Sequence, residues 1–125
     1  MKKLIPLILT LAMVFTITAA AVEPRWAAME SCSTNLSFSG STAYPSTFVI
    51  APGAKITAVM KLQKQNLWGS YGTVATWTLT ADDVMNEVRS YTPVSSGTYK
   101  VTAEVTAVSA NGTDKGSPYS IVEKN

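Results

Sequence analysis

Apolar and polar residues alternate along two long stretches of the chain, and this pattern limits the possible folds more than any other feature. Every second residue is apolar from Lys55 to Gln63, and the same period runs longest from Thr98 to Val108. A period of two places successive side chains on opposite faces of a β-strand, with one face buried. The chain is therefore predicted to be all-β, and the strand over 98–108 is predicted to be central.

Shorter segments of similar character add further strands. They are the stretch around Leu36 and Phe38, TAYPSTFVIA, TVATWTLT and the final stretch from Tyr119 to Glu123. Pro45 cannot donate to a ladder, so it predicts a bulge, a bend or an edge in the second of these segments. Turns are predicted at 40–41, 52–53, 93–97 and 111–112, where glycine, proline or asparagine supports them. The connection QNLWGSYG is predicted to join two strands of a hairpin.

Residues 81–89, ADDVMNEVR, fit two local structures. Asp82 and Asp83 can cap a short helix, whereas Val84 and Val88 suit a strand. The strand is favoured. With it, about seven short antiparallel strands predict a single immunoglobulin-like β-sandwich, and a partly closed β-barrel is the alternative. Tyr99, which follows a glycine turn, is placed to tie one corner of such a sandwich through its hydroxyl.

The N-terminus has the layout of a cleavable signal peptide over residues 1–21. Lys2 and Lys3 precede an apolar run, and the segment ends in small residues at Ala21. An uncleaved anchor is the alternative, but the apolar run is short for a bilayer span. The protein is therefore predicted to be secreted, without a membrane span after cleavage. Residues 22–33 form an irregular lead-in in which Trp26 packs on the domain, and residues 34–125 form the β-domain.

Charge argues against nucleic acid as a partner. Once Lys2 and Lys3 are removed with the leader, Lys plus Arg falls from 10 to 8 and equals the eight Asp plus Glu. Domains that bind phosphate backbones carry a basic excess, which this one lacks apart from a small group of lysines at 55, 61 and 64.

Side chains for common catalytic chemistry are scarce. The chain has no histidine, which excludes a Ser-His-Asp or Cys-His arrangement and imidazole ligation of a metal. Cys32 is the single cysteine, so no internal disulfide can form; it is interpreted as a small residue near the first strand rather than as a reactive thiol or an intermolecular bridge. The acidic residues 82, 83, 87 and 104 are interpreted as turn and surface groups. The protein is predicted to be no enzyme and to hold no cofactor and no metal.

Aromatic residues in the hairpin connection are the candidate binding residues. Trp68 and Tyr71 lie in a loop with two glycines, where their rings cannot easily reach the core. Exposed rings stack on sugars or anchor protein partners. The alternative is that Trp68 covers the end of the sandwich as a lid, while Trp77, in phase with Ala75 and Leu79, fills the core.

Three stretches carry a resemblance to a known group of proteins: SCSTNLSFSG, KLQKQNLWGSYGTVATWT and SSGTYKVTAEVTAV. In this order they resemble small secreted proteins of unknown function from gut clostridia and related Gram-positive bacteria. The resemblance covers most of residues 31–110 and implies secretion and a β-sandwich, but no activity and no catalytic residues. Members often carry a second cysteine where this chain has Tyr44 and Pro45, so their disulfide is absent here.

Two functions remain. The first is a secreted, non-enzymatic domain that binds a protein or a glycan at or outside the cell surface through Trp68 and Tyr71. The alternative is a structural extracellular or cell-envelope component without a specific small ligand. A binding domain should present the two aromatic residues, whereas a structural one should bury them or pair an edge strand with a neighbour.

Overall fold

The computed structural model describes residues 28–125, which contain six β-strands and no helix. In chain order the strands are β1 (Ser31–Ser39), β2 (Thr42–Gln65), β3 (Tyr71–Val88), β4 (Gly97–Ser109), β5 (Gly112–Gly116) and β6 (Tyr119–Lys124). All pairs are antiparallel and belong to one sheet, which confirms the all-β prediction. The predicted signal peptide over residues 1–21 and the predicted packing of Trp26 lie outside the described residues. Within the predicted lead-in, β1 already begins at Ser31 rather than at residue 34.

The second strand organises the sheet because it has partners along its whole length. One edge of β2 pairs with β3 from Ser46 to Gln65 except at residues 52–54, while its other edge pairs with β1 in the first half and with β4 in the second half. The far edge of β4 pairs with β6 and then with β5. The strand predicted over 98–108 is thus central, as expected.

A bend divides both β2 and β3 at the same level. Ala51 pairs with Asp83 and Lys55 with Asp82, so residues 52–54 have no partner in β3. Gly53 and Asp83 both have left-handed backbone conformations, with φ of 74° and 68°, and the N–H of Gly53 donates to Asp83 Oδ1 at 2.8 Å. The insertion of extra residues into one strand of a pair is a bulge, which bends the strand.

The turn predicted at 52–53 is therefore wrong. Pro52 and Gly53 do not end a strand, because β3 continues beside them and the chain stays in the sheet on both sides of the bend. Residues 81–89 also lie within or directly after a strand, β3. The favoured strand is therefore confirmed, and the alternative of a helix capped by Asp82 and Asp83 is wrong. Four of the predicted strands thus form only two long strands, β2 and β3. A short strand that was not predicted, β5, precedes the predicted last strand, so the described part contains six strands.

The bend lets one strand line both sides of a single core. Buried residues of β2 have odd numbers before the bend, as at Val49, and even numbers after it, as at Ile56. Across this core Thr47 Oγ1 lies 3.1 Å from Met60 Sδ, and both side chains are buried. The two halves of β2 therefore face each other. The larger fully buried apolar side chains, such as Val49, Ile56 and Leu62, each contribute roughly 1.5–3 kcal/mol by leaving water.

Pro45 is accommodated without a bulge. It lies inside β2 opposite Leu36, and its carbonyl accepts the N–H of Arg89 at 2.9 Å. Because N and O of one residue in an antiparallel strand point to the same side, the proline nitrogen faces β3, one residue beyond the last β2–β3 pair. The Pro45–Arg89 pair therefore makes one of its two possible hydrogen bonds, and the regular β2–β3 ladder ends at Ser46 and Val88.

The two ends of the described chain are tied together by a buried carboxylate. Asp114 on β5 accepts hydrogen bonds from the backbone N–H groups of Ala28 and Met29, the latter at 2.9 Å. All three residues are buried. A buried carboxylate must be hydrogen-bonded to offset its desolvation, and here the lead-in supplies donors.

Tyr99 forms the predicted corner. Its side chain is only 2% exposed, its hydroxyl donates to the carbonyl of Ser95 at 2.8 Å, and its ring packs against Phe38 with 5.4 Å between centroids. The bond spans the 93–97 connection, so it fixes the entry of the chain into β4. This confirms the hydroxyl tie expected from the sequence.

Removal of this hydroxyl tests the corner. The variant Tyr99→Phe is expected to lower the free energy of unfolding by about 1 kcal/mol, because the carbonyl of Ser95 loses its donor while the ring packing remains. Urea unfolding measures the change. Tyr44→Phe, at a partly exposed tyrosine, is the matched control and should stay close to wild type. Equal stability of all three proteins would contradict a structural role for the Tyr99 hydroxyl.

Candidate functional site

The β2–β3 hairpin ends in a loop, residues 66–70, that one asparagine holds closed. Asn66 Oδ1 accepts the N–H groups of Trp68 at 2.9 Å and Ser70 at 3.1 Å. The backbone of Asn66 also donates to the carbonyl of Ser70 at 2.7 Å and accepts from Gly69 at 3.1 Å. Asparagine side chains commonly satisfy nearby backbone donors in this way. The polar groups of the loop are thus used within the loop.

Its two large apolar side chains point into solvent. Leu67 is 100% exposed and Trp68 is 89% exposed. We call these two residues the hairpin tip. The alternative in which Trp68 covers the end of the fold as a lid is wrong, because nothing packs over this ring. Leu67 was missed from the sequence, although an apolar pair in an otherwise polar turn is a visible signal.

Tyr71 has different surroundings from Trp68. It is the first residue of β3, opposite Gln65, and is half-buried. Lys100 Nζ lies 5.1 Å from its ring centroid, and the same ammonium lies 5.3 Å from the ring centroid of Tyr119. The described residues show no ring contact between Tyr71 and Trp68. The two predicted site residues therefore belong to adjacent but separate features.

We call Tyr71, Lys100 and Tyr119 the cation–aromatic cluster. Its members come from β3, β4 and β6, and the strand register brings them together: Lys100 pairs with Gln63 on one side and with Ile121 on the other. Sequence reasoning missed Lys100 and Tyr119, because no local pattern links three residues so far apart in the chain. Cation–π contacts of this kind are worth roughly 0.5–1 kcal/mol at exposed sites.

The lysine of the cluster has no acidic partner. Within residues 28–125 the one ion pair joins Arg89 Nη1 to Glu87 Oε1 at 2.8 Å, on partly exposed side chains. Lys64 is used differently, since its Nζ donates to Ser95 Oγ at 2.6 Å beside the Tyr99 ring. The hairpin segment 55–81 carries three lysines and no acidic residue. This segment is therefore locally cationic, whereas β4 and β6 add the exposed Glu104 and Glu123 to the same face.

Other residues singled out from the sequence have structural surroundings. Trp77 does not fill the core as expected, because it is half-buried and only packs against the core. Asp82 and Asp83 lie at the bend, and Glu87 pairs with Arg89. Among residues 28–125, no three side chains of the types Asp, Glu, Cys and His come together as a metal site would require.

Cys32 lies in β1, half-buried against the core. Burial disfavours the charged thiolate and raises the pKa of this thiol to about 11. The thiol is therefore protonated at neutral pH, which agrees with its interpretation as a packing residue.

No stretch of helix that could cross a membrane occurs in the part of the chain from residue 28 onward.

Comparisons with known proteins give one structural similarity. No protein-family model matches the chain, and no curated protein matches it. The chain is similar to the crystal structure of hypothetical protein PH1083 from Pyrococcus horikoshii OT3, with a TM-score of 0.49 and 11% sequence identity. The alignment covers 82% of this chain and 93% of that chain. A likeness at this level carries no argument about function.

The buried thiol yields a pH-dependent prediction. At neutral pH Cys32 of the folded protein should react with an aromatic disulfide reagent at least about tenfold more slowly than in the urea-unfolded chain, because its pKa lies above the ordinary value of 9.0. The same shift makes the stability of the fold depend on pH. The stability that comes from keeping the thiol neutral is complete below pH 9.0 and is lost as the pH rises towards about 11. Cys32→Ala should remove that part of the alkaline decline. Fast labelling at neutral pH would contradict the buried thiol.

Proposed function

We propose that the chain is a secreted, non-enzymatic binding domain with an immunoglobulin-like two-layer β-sandwich fold, and that its partner is a protein or a glycan at or outside the cell surface. The observation that carries this proposal is the hairpin tip, where Leu67 and Trp68 are almost fully exposed on a loop closed by Asn66.

The sandwich is supported by contacts across the core. The Thr47–Met60 contact joins the two halves of β2, and the Phe38–Tyr99 ring contact joins β1 to β4. Strands that pass from one layer to another through a bulge are typical of packed β-sheets. The tie between Tyr99 and Ser95 is also of the kind that immunoglobulin-like domains use at a corner.

Secretion is supported by the sequence of residues 1–21, which has the charge, apolar run and small residues of a signal peptide. The resemblance to small secreted proteins of Gram-positive bacteria agrees with it. A non-enzymatic role is supported by the lack of histidine and by the use of Glu87 in a surface ion pair.

An exposed tryptophan on a closed loop is well suited to binding. Burial of large aromatic side chains supplies much of the energy at interfaces, and a side chain whose backbone is already fixed loses less entropy on binding. The tip carries two such side chains next to each other, with their backbone held by Asn66.

The alternative function is a structural component of the cell envelope. The observation in its favour is the outer edge of β3, which has no strand partner among the described residues along Tyr71–Val88. An open edge can pair with another chain. The edge is interrupted by the bend at Asp83 and by a register shift beside Leu62, and both features discourage regular pairing.

Binding of the purified mature protein to intact bacterial and host cells tests the proposal. Trp68→Ala and Leu67→Ala should each lower the affinity, the former by about tenfold or more, because the tip loses its buried contact area. Val84→Ala removes an exposed apolar side chain near the bend and serves as the matched control for Leu67→Ala. Equal binding by the tip variants and wild type would contradict the proposal, and a protein that only assembles with itself would favour the structural alternative.

A further inference from the structure

We infer that the partner is an acidic glycan, a polysaccharide with carboxylate groups on its sugar rings, and that the cation–aromatic cluster binds it. This inference rests on the proposed function, since it names the class of partner and extends the site from the hairpin tip onto the neighbouring sheet face.

The surroundings of the Lys100 ammonium are the first observation that supports an anionic ligand. It lies between the rings of Tyr71 and Tyr119, at 5.1 and 5.3 Å from their centroids, and it forms no ion pair with any residue from 28 to 125. Glu123, two positions beyond Ile121 on β6, pairs with Thr98 and makes no ion pair with this lysine. Two aromatic contacts hold the charge in place but leave it without a counterion. An anionic ligand is what such a charge recognises.

The surroundings of the lysine favour a sugar over an acidic peptide. Gln63 and Thr73 lie beside it on the sheet, with Gln63 Nε2 donating to Thr73 Oγ1 at 3.2 Å, and Thr102 pairs with Tyr119. These amide and hydroxyl groups match the dense hydroxyls of a polysaccharide.

Two exposed aromatic rings are available for stacking against sugar rings. Tyr119 is 63% exposed on β6, and Trp68 is 89% exposed at the end of the hairpin. Aromatic rings pack against apolar surfaces while their polar groups stay hydrated, and the C–H face of a sugar ring is such a surface. The open sheet face between these residues accepts an extended chain.

Lys61 adds a second positive charge to this face. It points to the same outer face as Lys100, because it lies two residues from Gln63, the ladder partner of Lys100. Two exposed glutamates, Glu104 and Glu123, share this face, and neither forms an ion pair within residues 28–125. A chain with regularly repeated carboxylates would meet both lysines.

The experiment measures binding of the full mature protein to polygalacturonate by calorimetry. Fully methyl-esterified polygalacturonate keeps the sugar backbone but lacks the charge, and it is the matched ligand control. Lys100→Gln, Lys100→Arg and Tyr119→Ala are compared with Lys115→Gln, which removes the same charge on β5. Thermal unfolding of each variant shows that it is folded.

Wild type is expected to bind polygalacturonate at least about tenfold more tightly than the ester, with an affinity that falls as salt is raised. Lys100→Gln should abolish this preference, Tyr119→Ala should weaken binding, and Lys100→Arg and Lys115→Gln should retain it. Equal binding of acid and ester, or an unchanged preference in folded Lys100→Gln, would overturn the inference.

Two further binding comparisons distinguish an acidic glycan from other anionic partners and this inference from the proposed function. Tighter binding to polyglutamate, or to vesicles of anionic phospholipid, than to polygalacturonate would overturn the acidic glycan as the partner. Loss of cell binding in Trp68→Ala with no change in Lys100→Gln would overturn the inference and leave the proposed function standing. If neither variant changes cell binding, both fail.

Discussion

The hydrogen bond between Gly53 and Asp83 marks the point on which the architecture depends. There two long paired strands bend together, and the three unpaired residues of β2 shift its buried positions from odd to even numbers, so that the same face of the sheet stays buried on both sides of the bend. One strand thus lines both sides of the core, and Thr47 meets Met60 across it. A straight β2 would place these two side chains far apart and leave the apolar face of the sheet open to water.

The site follows from the same geometry. Because β2 continues past the bend with partners on both edges, it carries the hairpin to one end of the fold and places Leu67 and Trp68 beyond the core. The loop there is held closed by Asn66 and by the side chain of Gln65, which donates to the carbonyl of Gly69. The register of β4 and β6 then sets Lys100 between two tyrosine rings on the adjacent face.

Local patterns predicted the parts of the fold that depend on local physics. Alternation identified the strands around Ile56 and Val101, and the corner at Tyr99 followed from a glycine turn before a strand. The bend was missed because Pro52 and Gly53 are typical of a turn, and only the neighbouring β3 keeps the chain in the sheet. The loop position of Trp68 left an exposed ring and a lid as alternatives, and the structure has the exposed ring. Lys100 and Tyr119 depend on strand register, which no short segment of sequence specifies.

The central claim is that the fold presents Trp68 to a partner on a preformed tip. Acrylamide quenching of tryptophan fluorescence in the mature protein tests it, with Trp68→Phe measured alongside so that the difference isolates this one ring from Trp26 and Trp77. The account predicts that the isolated signal is red-shifted and quenched almost as readily as free tryptophan, because the side chain is 89% exposed. A blue-shifted signal that resists the quencher would show a buried ring and contradict the account.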